Sequence, residues 1–140
     1  MKVDYPIKGL LDLQETTIRT VARGKKTVVT FWTTGCARCS RSLDTIDRYS
    51  TFDRCFDIEF ISVCCGDEIS GRNTVLHNLS AARAQNPRTL HYFVTQEEKE
   101  HLKVAYNFTH VPYYVMLDEH GGILCSGHDL YDDVLYDVMD

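Results

Sequence analysis

The run Thr27-Val28-Val29-Thr30-Phe31-Trp32 leads within a few residues into Cys36-Ala37-Arg38-Cys39, and an amphipathic stretch follows at once. The run is too short for a helix and rich in the β-branched and aromatic side chains that suit a buried strand. From Cys36 onward Leu43, Ile46, Tyr49 and Phe52 recur at every third position, with Arg41, Asp44, Asp47 and Arg48 between them. That spacing predicts a helix with one apolar face. A strand therefore delivers the two cysteines to the first turn of a helix.

Two cysteines at positions i and i+3 of a helical turn lie on one side, close enough to form a disulfide with little backbone movement. The loop they close is short, so the bond adds little stability and suits a reversible switch better than a staple. Unpaired N–H groups and the positive end of the helix favour an anion beside Cys36, and a thiolate is one. Arg38 adds positive charge between the sulfurs. The chemistry expected is attack by Cys36 on a disulfide, then attack by Cys39 on the resulting mixed disulfide. The competing use of a CxxC is half of a zinc site, which wants four sulfur or nitrogen ligands. No second half-site with suitable spacing occurs, and adjacent Cys64 and Cys65 on a strand would face opposite ways. Neither a metal nor a cofactor is expected.

Elsewhere the loosely helical spacing of Leu10, Leu13, Ile18 and Val21 predicts a first helix within Leu10 to Ala22, broken by Gly24. Phe56 to Cys64 reads as a second strand, Asn73 to Ala84 as a helix and Leu90 to Val94 as a third strand. Gln96 to Tyr106 reads as a helix whose Glu97, Glu98 and Lys103 suit its dipole. Val111 to Leu117, a turn at Asp118-Glu119-His120-Gly121-Gly122, and Ile123 to Cys125 predict a hairpin, and Asp129 to Asp140 a closing helix. Strands alternating with helices and ending in a hairpin predict the α/β class with a mixed sheet.

The 140 residues suit one domain, 1–140, with 44% hydrophobic and 25% charged residues as in ordinary soluble proteins. A net charge of -5 supplies no basic field, so neither nucleic acid nor an anionic membrane is expected as a partner. The opening Met-Lys-Val-Asp-Tyr-Pro lacks the apolar run of a signal peptide, and no stretch reaches the roughly 18 apolar residues of a membrane span. A cytoplasmic chain is expected. Its six cysteines are unevenly spaced, with Cys64-Cys65 adjacent and Cys55 and Cys125 alone, which reads as reduced thiols around one redox pair.

The segment Phe31-Trp32-Thr33-Thr34-Gly35-Cys36-Ala37-Arg38-Cys39, with Val111-Pro112 opening a later strand, resembles the thioredoxin superfamily, and the order of elements extends the likeness over nearly the whole chain. The resemblance implies a three-layer α/β/α sandwich with a central mixed sheet. It implies that Cys36 is the nucleophile, Cys39 the resolving thiol and Trp32 a wall of the site. It also implies a cis Pro112, beside Val111, that faces the disulfide and binds extended substrate chain. The long interval between Cys36 and Pro112 leaves room for an inserted strand-helix unit, which is similar to the tryparedoxin, nucleoredoxin and TlpA-like branch. A protein or small-molecule disulfide as substrate, a disulfide-containing protein and an upstream thiol reductant as partners, and a monomeric state are expected.

Three positions depart from that pattern. Gly35 stands where a tryptophan is common, Ala37-Arg38 replaces Gly-Pro or Pro-Pro, and Thr30 replaces a buried acid. His110, two residues before Pro112, is then expected to tune the site together with Thr30. Two other functions compete. Thr33-Thr34-Gly35-Cys36 contains the Thr-x-x-Cys core of a thiol peroxidase, although Val29 stands where its companion proline belongs. A redox-inert binding module on the same fold is the second.

Overall fold

The computed structural model describes residues 6–9, 14–22, 24–34, 36–65 and 88–130. The first run read above becomes β3 (Lys26–Trp32), buried from its second residue to its last. A strand covered on both faces needs apolar side chains at successive positions rather than alternate ones, and this run supplies them. It lies within the sheet, parallel to β4 (Ile58–Cys64) and antiparallel to β6 (Tyr113–Leu117). Beyond β4 comes parallel β5 (Thr89–Phe93), and beyond β6 the antiparallel β7 (Ile123–Gly127). Two short strands, β1 (Pro6–Gly9) and β2 (Glu15–Thr17), extend the sheet past β5, giving the order β2-β1-β5-β4-β3-β6-β7.

The two-residue period of the strands sorts their side chains between two cores. Val28, Trp32, Phe60, Cys64 and Met116 pack with Cys39, Leu43, Ile46 and Tyr49 of helix α2 (Ala37–Ser50). Val29, Phe31, Ile61, Val63 and Val115 pack on the other side with Ile18 and Ala22 of α1 (Ile18–Ala22) and Leu102 of α3 (Gln96–Tyr106). Helices thus cover both faces of a mixed sheet, as the thioredoxin likeness implied. Between β4 and β6 the chain adds β5, in the interval where room for an extra strand and helix was expected. The helix expected over Asn73 to Ala84 lies outside the described residues, as does the tail beyond Leu130.

The first helix is shorter than its apolar spacing predicts. Glu15 to Thr17 pair instead with Pro6 to Lys8 of β1, and the Thr17 hydroxyl accepts from Thr20 N at 3.2 Å, so the helix starts only at Ile18. A threonine cap satisfies one of the N–H groups that a helix start leaves open, and it fixes the boundary that periodicity blurred. β4 likewise begins at Ile58 rather than Phe56, because a 3₁₀ turn at Asp53–Cys55 precedes it and Phe56 lies exposed under the Arg88 guanidinium, 5.0 Å from the ring centre.

α3 keeps its expected bounds because both ends are encoded locally. Thr95 and Glu98 form a reciprocal capping box, and Asn107 ends the helix in a left-handed conformation at φ 57°. In the last hairpin, Asp118 accepts from the backbone N–H of His120 and Gly122 at 2.8 Å each, and Gly121 takes φ +83°, where a side chain would strain the turn. Among the described residues no helix is long and apolar enough to cross a membrane.

Candidate active site

Cys36 is the residue that starts α2. Its backbone is extended (φ -111°, ψ 111°), and its Sγ accepts a hydrogen bond from Cys39 N at 3.2 Å. Sulfur here takes the place that a serine or aspartate oxygen holds at other helix starts. The bond also brings the two cysteines together, with Cys36 half-buried and Cys39 1% exposed. One sulfur is open to a partner and the other lies behind it. Burial pushes the Cys39 thiol up to about 12, helped by its hydrogen bond with Cys36 and opposed by a backbone bond from Thr33. Cys39 therefore holds its proton at neutral pH.

Trp32 is buried under this pair, beside Cys64 on β4, and among the described residues its indole Nε1–H meets no acceptor. Val111 packs against both cores, and its peptide bond to buried Pro112 is cis. Ala37 is exposed on the first turn of α2, Gly35 lies outside the described residues, and Arg38 turns towards Asp129, its guanidinium 3.8 Å from the carboxylate. Its charge is thus shared with an acid that sequence distance concealed.

Beneath Trp32, at the position of the missing acid, Thr30 is buried and aligned with Ser62 on β4 and Tyr114 on β6. Ser62 in turn meets His91 of β5, Oγ to Nδ1 at 2.5 Å, both side chains buried. Sequence reading missed this polar row. The signal was available: Thr30, Ser62 and Tyr114 share strand parity with Val28, Phe60 and Met116, so they had to face α2. His110, by contrast, is exposed, hydrogen-bonded to the Thr109 hydroxyl at 3.1 Å and stacked on His128 with centroids 4.1 Å apart and planes 9° apart. His128 was not anticipated either. Its Nδ1 lies 2.8 Å from the Pro112 carbonyl, and since a carbonyl only accepts, Nδ1 carries the proton.

Cys65, next along the chain, enters the opposite core, so the two adjacent thiols do face opposite ways. Burial raises Cys65 to about 12 as well. Cys125 is half-buried and hydrogen-bonded with the Tyr114 hydroxyl, and Cys55 is buried against α2.

The Redoxin family model matches residues 7–128, which includes Trp32, Cys36, Cys39, Pro112 and His128. The chain belongs to the Redoxin family. Among solved structures, this redoxin is similar to the Arabidopsis thaliana ScoI protein with copper bound, with a TM-score of 0.75, 16% identity and coverage of 99% of this chain and 95% of that one. It is similar also to the exposed lipoprotein thioredoxin Etrx1 of Streptococcus pneumoniae, with a TM-score of 0.73, 17% identity and 98% of both chains covered. A third is MTB DsbF, in mixed oxidised and reduced forms, with a TM-score of 0.73, 16% identity and coverage of 96% and 92%. At such identities the likeness establishes the thioredoxin fold. No curated protein matches this sequence.

Cys39 and Cys65, the most strongly raised of four raised thiols, give the redoxin a pH dependence of known sign. Their folded values lie above the ordinary 9.0, so the folded state holds protons that the unfolded state releases. Their contribution is complete below about pH 9 and is lost as pH rises towards 12. The urea midpoint of the reduced protein should fall between pH 8.5 and 10.5, the values to compare being chosen around that ordinary thiol value. Cys65→Ala should flatten the fall, and an identical fall in that variant would remove Cys65 from the account.

Proposed function

We propose that this redoxin is a thiol–disulfide oxidoreductase acting on protein disulfides, with Cys36 as nucleophile and Cys39 as resolving thiol. The observation that carries the reading is the asymmetry of the pair at the start of α2, with a half-buried Cys36 accepting an N–H bond and a fully buried, protonated Cys39 beside it. The Cys36 thiolate attacks one sulfur of the substrate disulfide, forming a mixed disulfide and expelling the other sulfur as a thiolate. Cys39 then gives up its proton and attacks the Cys36 sulfur, the substrate's second sulfur leaves as a thiolate, and a Cys36–Cys39 disulfide remains. An external dithiol reduces it. Thr30 has no carboxylate to take the Cys39 proton, so the expelled substrate thiolate is the base at hand.

Trp32, Ala37, Arg38, Val111 and Pro112 frame the surface on which the substrate chain would lie. His110 is assigned a tuning role through His128, whose Nδ1–H holds the Pro112 carbonyl. His110→Ala should then alter the pH profile of Cys36 alkylation by iodoacetamide, and an unchanged profile would end that assignment.

Copper is bound in the ScoI structure named above, and the CxxC offers two soft ligands. Among the described residues, however, no group of three His, Cys, Asp or Glu lies together as a metal site needs, so disulfide exchange is the chemistry the arrangement supports best. The test is turnover of insulin disulfides with dithiothreitol as electron source. A rate above background supports the reading. A rate equal to background overturns it in favour of a redox-inert binding module, and the CxxC reduction potential then sets the direction of electron flow.

A further inference from the structure

A cavity of about 840 Å³ opens beside α2, starting at Arg38, two residues past the nucleophile. Arg38, Arg41 and Arg48 of α2 line it together with Tyr113 and Tyr114 of β6 and His128, just past the end of β7. On the helix these arginines recur at i, i+3 and i+10, one stripe; Asp44 borders that stripe, three positions after Arg41 and four before Arg48, but neither it nor Asp47 lines the cavity. The chain carries a net charge of -5, yet three guanidinium groups gather along one groove. Among the described residues only Arg38 has a carboxylate partner, the exposed Asp129 at 3.8 Å. Arg41 has none, and Arg48 lies over the Tyr49 ring at 5.3 Å without a carboxylate. The lining thus carries three cations against one carboxylate, Asp129.

We infer that this groove takes an acidic, extended segment of the protein substrate, flanking the cysteine that Cys36 attacks. The inference rests on the oxidoreductase reading and names its substrate class. Length decides between a peptide and a small thiol. At about 1.5 Å of rise per residue, Arg38 and Arg48 stand about 15 Å apart along the helix. An extended chain covers that with four or five residues, at about 3.3–3.6 Å each, whereas a glutathionyl group is only three residues long. The hydroxyl of Ser42 on the same stripe adds a donor, whereas that of Thr45 is spent on the Arg41 carbonyl at 2.9 Å. Solvated charge pairs of this kind steer and select partners, and salt weakens them.

The experiment uses the full chain and two synthetic peptide disulfides that differ only in the five residues after the cysteine, Asp and Glu in one, Asn and Gln in the other. At low salt the wild-type kcat/KM should favour the acidic peptide about tenfold, the scale that two or three solvated pairs supply, and 0.5 M NaCl, chosen as several times physiological ionic strength, should collapse the ratio. Arg41→Gln with Arg48→Gln should bring the ratio near 1, and Arg41→Glu with Arg48→Glu should invert it. A wild-type ratio near 1 overturns the inference. So does a ratio that survives the double Gln variant and falls only in Arg38→Gln, since that marks a ligand no longer than a glutathionyl group. Turnover of neither peptide defeats the oxidoreductase reading instead. Fluorescence anisotropy of a cysteine-free acidic peptide then judges the groove alone: binding lost in the double Glu variant supports it, and no binding to the wild type refutes it.

Discussion

Replacing Cys36 with serine will reduce disulfide turnover to background, a loss of about a thousandfold or more, as expected when a covalent nucleophile is removed. Serine keeps the size and can still accept from Cys39 N, so α2 keeps its start and the loss reports chemistry rather than folding. Cys39→Ser should behave differently. The first attack proceeds, the mixed disulfide forms, and nothing within the site completes the exchange. Mass spectrometry should then show the substrate half attached to Cys36 and released by excess dithiothreitol. The depth of Cys39, 1% exposed, sharpens the contrast, because solvent thiols cannot easily stand in for it. Peroxide consumption that persists in Cys39→Ser with an added thiol would point instead to the peroxidase reading. Equal turnover by both variants and the wild type would mean that the CxxC is not the reactive centre.

What the sequence made legible was whatever a few neighbouring residues decide among themselves. The start of α2 at the CxxC, the start of α3 and the turn at Asp118 all follow from side chains reaching the backbone within four positions, and the end of α3 from the left-handed backbone of Asn107. The opposed directions of Cys64 and Cys65 follow from strand parity alone. β1 and β2 escaped because strands of four and three residues have no period long enough to read, and they exist by pairing with each other and with β5. The site divides in the same way. Cys36 and Cys39 could be placed from the motif, but Ser62 meets His91 across 29 positions, His128 meets Pro112 across 16, and Arg38 meets Asp129 from the far end of the chain. Arg41 and Arg48 looked like the solvated side of an amphipathic helix. Only Tyr113, Tyr114 and His128 turn that side into part of a groove.

The largest loss of stability should come from Phe31→Ala, at about 3–5 kcal/mol in urea denaturation. Phe31 is fully buried in β3, stacked on Phe108 at 4.8 Å between centroids and tilted against Tyr106 at 5.6 Å. Phe108 stacks in turn on Tyr113 at 5.0 Å, so one file of rings joins β3, the end of α3 and the start of β6. Between the last two lies the loop that carries His110, Val111 and Pro112. Removing Phe31 leaves a cavity that neighbours held by the sheet cannot close, and it removes the wall that Phe108 leans on. Phe56→Ala is the control, because that ring is 68% exposed and meets only the Arg88 guanidinium among its described aromatic and cationic contacts, so about 1 kcal/mol or less is at stake. Phe31→Leu should recover much of the loss in stability, since it refills most of the volume, but less of the loss in turnover, since it restores no flat face for Phe108. A Phe31→Ala variant that loses under 1 kcal/mol would show that the ring file does not hold this core, and with it the account of how β3 positions the Pro112 loop would fail.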